Sequence, residues 1–295
     1  MKRFKSELAF DMVNYFLLAV LAISCLLPFI NVLAVSLSDS ASATAGRVGL
    51  LPVNMNFVAY RHALAKPRFL QSMLNTLIRV LLGVALNMAL TALTAYPLSK
   101  TRQDLKGRTV LSWFFVITML IGGGMVPAFL IVVWTGLKNT LWSLILPGAL
   151  PVFNMVILLN FFRQLPHELE ESAVLDGAGD FTILLRIYLP LSVPCLATLV
   201  VFQTVGHWND WFSGSVYLDE VSKYPLATYL HNVLQMPNFD TLSSMTSDQV
   251  IQALKLSPRT LTNAQIVLST LPVVIVYPFL QKYFVKGMTL GSLKG

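Results

Sequence analysis

Residues Leu165–Pro190 read LPHELEESAVLDGAGDFTILLRIYLP, the one acid-rich stretch in a chain otherwise dominated by apolar runs. Glu168, Glu170, Glu171, Asp176 and Asp180 supply five of its 14 acids. So many carboxylates are too costly to place in hydrocarbon, yet apolar runs flank the stretch on both sides. It therefore reads as an aqueous connector between two membrane spans. Pro166 suits a helix start, and the acids that follow suit the positive end of the helix dipole. Glu168 to Asp176 has helical character, with Leu169, Ala173 and Asp176 one turn apart. Gly177 and Gly179 interrupt it. Phe181, Leu184, Leu185 and Tyr188 then fall on one face of a second helix, closed by Pro190 and Pro194. The expected object is a short helix–turn–helix with an apolar face and an acidic face. On these grounds alone an ordinary amphipathic connector explains it as well as a docking element does.

The rest of the chain agrees with a membrane setting. Of its 295 residues 55% are hydrophobic and 12% charged, and the mean hydropathy is +0.67. A soluble domain carries about 25% charged residues, and half that number cannot cover a surface of this size. A soluble enzyme, a disordered chain and a nucleic-acid-binding domain are excluded, so no nucleic-acid partner is expected. The net charge of +7 is what cytoplasmic Lys and Arg give a membrane protein.

A spanning helix needs about 20 mostly apolar residues. Six windows qualify, near Met12–Val35, Ser72–Ser99, Val110–Trp134, Leu141–Phe162, Val193–Phe212 and Ala264–Phe284. The first follows Lys2, Arg3 and Lys5 and precedes Ala41-Ser42-Ala43, but it is too long for a signal core and contains Pro28, so an uncleaved helix is expected. With the N-terminus inside, the inner segments hold 12 Lys and Arg and the outer segments 8, and Arg79 is left within a span. Both termini and the 165–190 segment are accordingly expected in the cytoplasm. The predicted fold is an all-α polytopic membrane protein of six transmembrane helices, a single domain over 1–295. A long outer loop over 213–263 has the composition of an exposed, partly helical connection. Cys25 and Cys195 lie in separate apolar runs and read as small buried hydrophobes, with no disulfide or metal framework.

Polar residues inside the spans are the remaining candidates. Gln203, His207, Asn209 and Asp210 are interleaved with Trp208, Trp211 and Phe212. Rings that cover a sugar face and polar groups that bind hydroxyls are the chemistry of a carbohydrate path or gate. An aromatic belt at the outer end of the span accounts for the same residues, and a proton relay through His207 and Asp210 is a third reading. Gly122-Gly123-Gly124 and Pro127 interrupt the third window, as a substrate site or as a bend at its outer end. Asn87, Thr91 and Thr94 read as interhelical hydrogen-bonding groups. No G-x-x-x-x-G-K-[ST] loop occurs, so no NTP site is recognisable and transport energy must come from a partner or an ion gradient.

The order of residues in the acidic segment decides among these possibilities. Glu171-Ser172-Ala173, Gly177 three residues on, and Ile187-x-Leu189-Pro190 after nine more resemble the EAA motif of bacterial ABC-importer permeases, with Ser172 in place of the usual Ala. Asn139-Thr140-Leu141-Trp142, Leu144-Ile145-Leu146-Pro147 and Asn160-Phe161-Phe162-Arg163 resemble the carbohydrate-importer, maltose-permease-like branch. Gly123-Gly124-Met125-Val126-Pro127 and the tail from Tyr283-Phe284-Val285-Lys286-Gly287 to Lys294-Gly295 are similar to a sub-branch for complex and uronic-acid oligosaccharides, of the alginate type.

The resemblance implies a type I importer permease that forms an oligosaccharide path through the inner membrane and does no bond chemistry. Its implied partners are a second homologous permease, two ATPase subunits that bind ATP and Mg, an extracytoplasmic solute-binding protein, and lipid. It implies further that Glu170, Glu171, Ala173, Leu175, Asp176, Gly177, Ala178 and Phe181 couple the chain to an ATPase. Glu171 would meet a basic ATPase residue, and the 213–263 loop and the tail would approach the binding protein and the ATPases. A permease for another sugar or polyol, a proton-coupled secondary transporter and a non-transporting scaffold are the rival readings.

Overall fold

Long apolar runs with few internal breakers satisfy their backbone polar groups within themselves, and helix is the arrangement that does so in hydrocarbon. The computed structural model describes residues 5–101, 105–235 and 257–292. Among them every regular element is helical. In chain order these are α1 (Lys5–Ser36), α2 (Ser40–Thr44), α3 (Val58–Ala65), α4 (Pro67–Ser99), α5 (Arg108–Leu120), α6 (Met125–Trp134) and α7 (Val152–Phe162). They continue with α8 (Glu168–Leu175), α9 (Asp180–Ile183), α10 (Leu189–Leu191), α11 (Val193–Asn209), α12 (Phe212–Tyr217), α13 (Leu226–Gln235) and α14 (Pro258–Ser292).

The spans depart from the sequence expectation where Gly and Pro fall. Among the described residues, Phe10–Ser36 and Pro67–Ser99 are each long and apolar enough to cross a membrane, and three bent pairs bring the number to five if each pair is one span. The third window is not one helix: α5 and α6 meet at 111°, across a break where Gly124 has φ 84°. The fourth is two short turns, Leu141–Leu144 and Leu146–Gly148, and then α7, bent by 47°. Pro147, Gly148 and Pro151 end regular helix there. The fifth is α11, set at 82° to the Asp180–Leu191 stretch that leads into it. The sixth window lies within α14, whose side chains beyond residue 275 are outside the described set.

The chain divides into two compact units, residues 1–69 with 232–271 and residues 70–231 with 272–295. In the first, Ala34, Val35, Ala43 and Val48 form a small core. Asp39 caps α2 by accepting the Ser42 N–H at 3.0 Å, and that bond holds its carboxyl below the usual range. Arg259 Nη1 donates to Ala43 O at 3.2 Å. Most of α1 lies outside this core, so Cys25 is exposed and not buried as its apolar neighbours led us to expect. In the second unit α4, α7, the α9–α10 stretch and α11 enclose the main core, with Ala95, Leu158, Phe162, Ile183, Tyr188 and Leu199 all buried. Cys195 lies in this core. Of the 213–263 loop, α13, a Val221–Lys223 turn and most of α12 are described, and residues 236–256 are not; Lys294 and Gly295 of the tail are likewise outside the described residues.

Candidate functional site: the 165–190 segment and the α4–α11 seam

Helix α8 ends because Gly177 can take φ 79°, a conformation that costs other residues dearly. Its N–H donates to Val174 O at 3.0 Å and the Ala178 N–H donates to Ala173 O at 2.9 Å. This paired closure of the last carbonyls is a Schellman cap. It turns the chain sharply into α9, with Asp176 exposed at the C-cap. Ala173 and Ala178 pack inward against the main core. Glu171 points to solvent, while Leu175 is 87% and Phe181 68% exposed. Two large apolar side chains and a carboxylate therefore stand outward on either side of the glycine turn.

Glu170 faces the other way. Its Oε1 accepts from Lys100 Nζ in an ion pair, and its Oε2 accepts the Tyr188 hydroxyl at 2.6 Å. Lys100 Nζ also lies 4.1 Å from the Tyr96 ring centroid and 5.0 Å from that of Tyr188. The Tyr188 ring is met edge-on by Tyr96 and by Phe162, with centroids at 5.0 and 5.2 Å. Beyond the glycine turn, the Tyr96 hydroxyl donates to Asp180 Oδ1 at 3.4 Å. The end of α4 is held in turn by Arg108 Nη1, which donates to Lys100 O at 2.5 Å, and Arg163 Nη2, which donates to Leu98 O at 3.1 Å. Burial, and next the Arg108 charge, lower the pKa of Arg163.

The second constellation runs along α4 and α11. Gln203 and His207 lie one turn apart on one face of α11, and Asp210 follows at its C-cap. Asn87 Nδ2 donates to Gln203 Oε1 at 2.6 Å and lies 3.3 Å from His207 Nε2. One turn along, Gly83 leaves the space that the His207 ring fills. Next, Arg79 Nη2 meets Asp210 Oδ2 at 2.5 Å, and its guanidinium also donates to Asp210 O and Leu144 O at 3.1 and 3.3 Å. Asp210 Oδ1 accepts the Ser213 N–H at 3.0 Å. The structure thus brings Gln203, His207 and Asp210 together against α4. Trp208 is buried and Asn209 is exposed.

Comparison with known proteins shows the family of the chain. Residues 63–290 match the family model described as binding-protein-dependent transport system inner membrane component. The chain belongs to this family of transport permeases. It is 40% identical over 288 residues to the polygalacturonan/rhamnogalacturonan transport system permease protein YtcP of Bacillus subtilis, covering 97% of this chain and 98% of that one. It is 39% identical over 296 residues to protein LplC of the same organism, covering 99% and 97%. Its fold is similar to a chain in the crystal structure of a bacterial ABC transporter involved in the import of the acidic polysaccharide alginate, with a TM-score of 0.87, 34% identity and coverage of 96% and 99%. As a family member the permease is a transport subunit and not an enzyme; ATP hydrolysis belongs to partner ATPases.

Several residues that shape the permease were missed from its sequence. Lys100 is indistinguishable there from other basic residues at a span end, Tyr188 reads only as part of the apolar face after Gly179, and nothing sets Tyr96 apart from its apolar neighbours. Arg79 stood alone in its span because its carboxylate partner lies 131 residues away. A buried basic residue in one span and an acid in another are a recognisable signal of a pair, and that signal was available.

Proposed function

We propose that the chain is the permease subunit of an ATP-driven importer for carbohydrate, with oligouronates as the substrate class. The observation that carries the proposal is the outward display of Glu171, Leu175 and Phe181 around a Schellman-capped turn. Exposed Leu and Phe beside a carboxylate, on an element otherwise anchored in the core, offer a face that a protein partner can cover. A protein groove that takes them gains apolar burial, and a basic residue opposite Glu171 fixes the register with a charge-assisted bond. The partner in this reading is an ATPase.

The remaining components follow the same logic. A second, homologous permease completes the path, two ATPases drive it, and an extracytoplasmic solute-binding protein delivers the sugar. The chain crosses the cytoplasmic membrane six times, both termini inside, with the exposed apolar surface of α1 toward lipid or the second permease. ATP binding draws the ATPases together and moves α8, and the permease halves exchange inward-facing and outward-facing states. The uronate assignment rests on two relatives: polygalacturonan is a polyuronate, and alginate is named as an acidic polysaccharide.

The test is purification of the intact chain from its native membranes in mild detergent, followed by ATPase assay. Co-purification of an ATPase and a second permease, with hydrolysis stimulated by binding protein loaded with oligouronate, is the expected result. Stimulation by neutral oligosaccharides alone retains the importer and removes the uronate assignment. A chain recovered without any ATPase removes the importer itself.

A further inference from the structure

Two adjacent glutamates in α8 have opposite environments. Glu171 is exposed, whereas the Glu170 side chain is 20% exposed and both its oxygens are occupied from within the chain. Lys100, 10% exposed, is enclosed by that carboxylate and two tyrosine rings. A buried ammonium is costly unless it is paired, and here carboxylate and ring faces act together. We infer that Lys100 and Tyr188 are positioning residues that clamp Glu170, so that α8 and the end of α4 move as one body. The inference rests on the coupling role proposed above for α8, and it adds that Glu170 belongs to the strut behind the docking face and not to that face.

The geometry gives the strut three points. Glu170 ties α8 to Lys100 on one side of the Gly177 turn. Tyr96 reaches Asp180 on the other side. Arg108 and Arg163 fix the α4 end from the α5 and α7 segments through the carbonyls of Lys100 and Leu98. A push on Leu175 or Phe181 is then delivered to α4, and through the seam at Asn87 and Arg79 to α11. Without the clamp, α8 still presents Glu171, Leu175 and Phe181 to a partner but is no longer held at a fixed angle to the bundle.

The experiment uses the assembled complex with Lys100→Met, Lys100→Arg, Tyr188→Phe and Glu171→Lys permeases. Lys100→Met is expected to retain ATPase co-purification at the wild-type level. Its stimulation by loaded binding protein should fall by about tenfold, the factor that about 1.4 kcal/mol carries. Lys100→Arg should recover most of it, and Tyr188→Phe, which keeps the ring and loses the hydroxyl, should lose part. Unchanged stimulation in Lys100→Met overturns the inference. So does loss of the ATPase in Lys100→Met to the degree seen in Glu171→Lys, because Glu170 would then belong to the docking face.

A second measurement reads the clamp without the ATPase. Spin labels at Ser172 on α8 and Leu93 on α4, in a background lacking Cys25 and Cys195, should give one narrow distance distribution that broadens in Lys100→Met. An equally narrow distribution in the variant overturns the inference. If Lys100→Met does not fold, Tyr188→Phe is measured the same way, with the same two outcomes. A wild-type chain that brings down no ATPase defeats the importer reading but leaves the distance test standing, so the two failures are distinguishable.

Discussion

Arg79 and Asp210, on α4 and at the end of α11, form an ion pair at 2.5 Å with the arginine side chain 2% exposed. The pair closes one end of the α4–α11 seam, and Asp210 simultaneously caps the turn into α12 through Ser213. Removing one member strands the other, which costs about 3–5 kcal/mol for a buried pair. Arg79→Met and Asp210→Asn are each expected to lower the thermal stability of the detergent-solubilised chain sharply. The double variant, with no charge stranded, should be more stable than either single one. Unfolding midpoints of the four proteins complete the cycle, and strict additivity would show that the pair is not coupled.

Gly83 is required by its neighbour. A Cβ at that position would lie 2.6 Å from His207 Nε2, with Cε1 and Cδ2 also within 3.0 Å. Gly83→Ala must displace the ring and with it the contact between His207 Nε2 and Asn87 Nδ2, at a cost of about 1–3 kcal/mol by overpacking. A Cβ at Gly206 would meet nothing within 4 Å, so Gly206→Ala should be neutral or slightly stabilising. Parallel melting curves check the contrast, and equal behaviour of the two variants would sink the steric account.

What the sequence disclosed and what it hid divide along a physical line. Apolar periodicity and the spacing of Glu171, Gly177 and Pro190 are local, and they disclosed the helical class and the turn between α8 and α9. The 111° break between α5 and α6 was signalled by Gly122 to Pro127, but its angle depends on packing that local signals do not contain. Lys100 with Glu170, and Arg79 with Asp210, are separated by 70 and 131 residues. No periodicity links residues so distant, so the bonds that anchor the 165–190 segment stayed hidden while its glycine turn was legible.

Gly177 and Glu171 separate two ways of disabling the proposed coupling role of the 165–190 segment. Proline at 177 cannot adopt φ 79° and removes the N–H that donates to Val174. Gly177→Pro should therefore open the turn between α8 and α9 while the membrane helices remain folded. Glu171→Lys leaves the turn intact and reverses the charge offered to a partner. Gly177→Pro is expected to uncouple ATP hydrolysis from uptake in reconstituted complexes, and Glu171→Lys to do so together with weaker retention of the ATPase. Wild-type stimulation in either one would count heavily against a coupling role for that residue.

Leu175 and Phe181 should contribute to association and not to folding. Each is largely exposed in the isolated chain, so truncation to Ala removes little buried surface and should leave the melting temperature within error. Burial of one such side chain in a partner groove stabilises the complex by about 1.5–3 kcal/mol. Leu175→Ala and Phe181→Ala are expected to weaken ATPase retention by about tenfold or more, read as the dissociation constant for added ATPase. A variant that melts early but binds normally would place its side chain in the permease core instead.

Asn139 ties the segment after α6 to the segment after α12, and the tie should depend on pH. It holds φ 61°, its N–H donates to Tyr217 O at 2.8 Å, and its Nδ2 donates to Glu220 Oε1 at 2.7 Å. The Asp219 and Glu220 N–H groups donate to its Oδ1 at 3.3 and 3.4 Å. Lys223 first, and Asn139 next, hold the Glu220 carboxyl below its usual range. A depressed carboxyl contributes stability above its unfolded pKa, about 4.3, and loses it as the pH falls through the lowered folded value. Asn139→Gly keeps the backbone conformation and loses the side-chain bonds, whereas Asn139→Ala loses both, at about 1–2 kcal/mol more for the left-handed residue. Hydrogen exchange at Asp219 and Glu220 should therefore rise from wild type through Asn139→Gly to Asn139→Ala near neutral pH. Relative to its pH-dependent intrinsic rate, wild-type exchange should approach that of Asn139→Gly as Glu220 protonates; a wild-type protection factor that does not fall with acid would separate Glu220 from this tie.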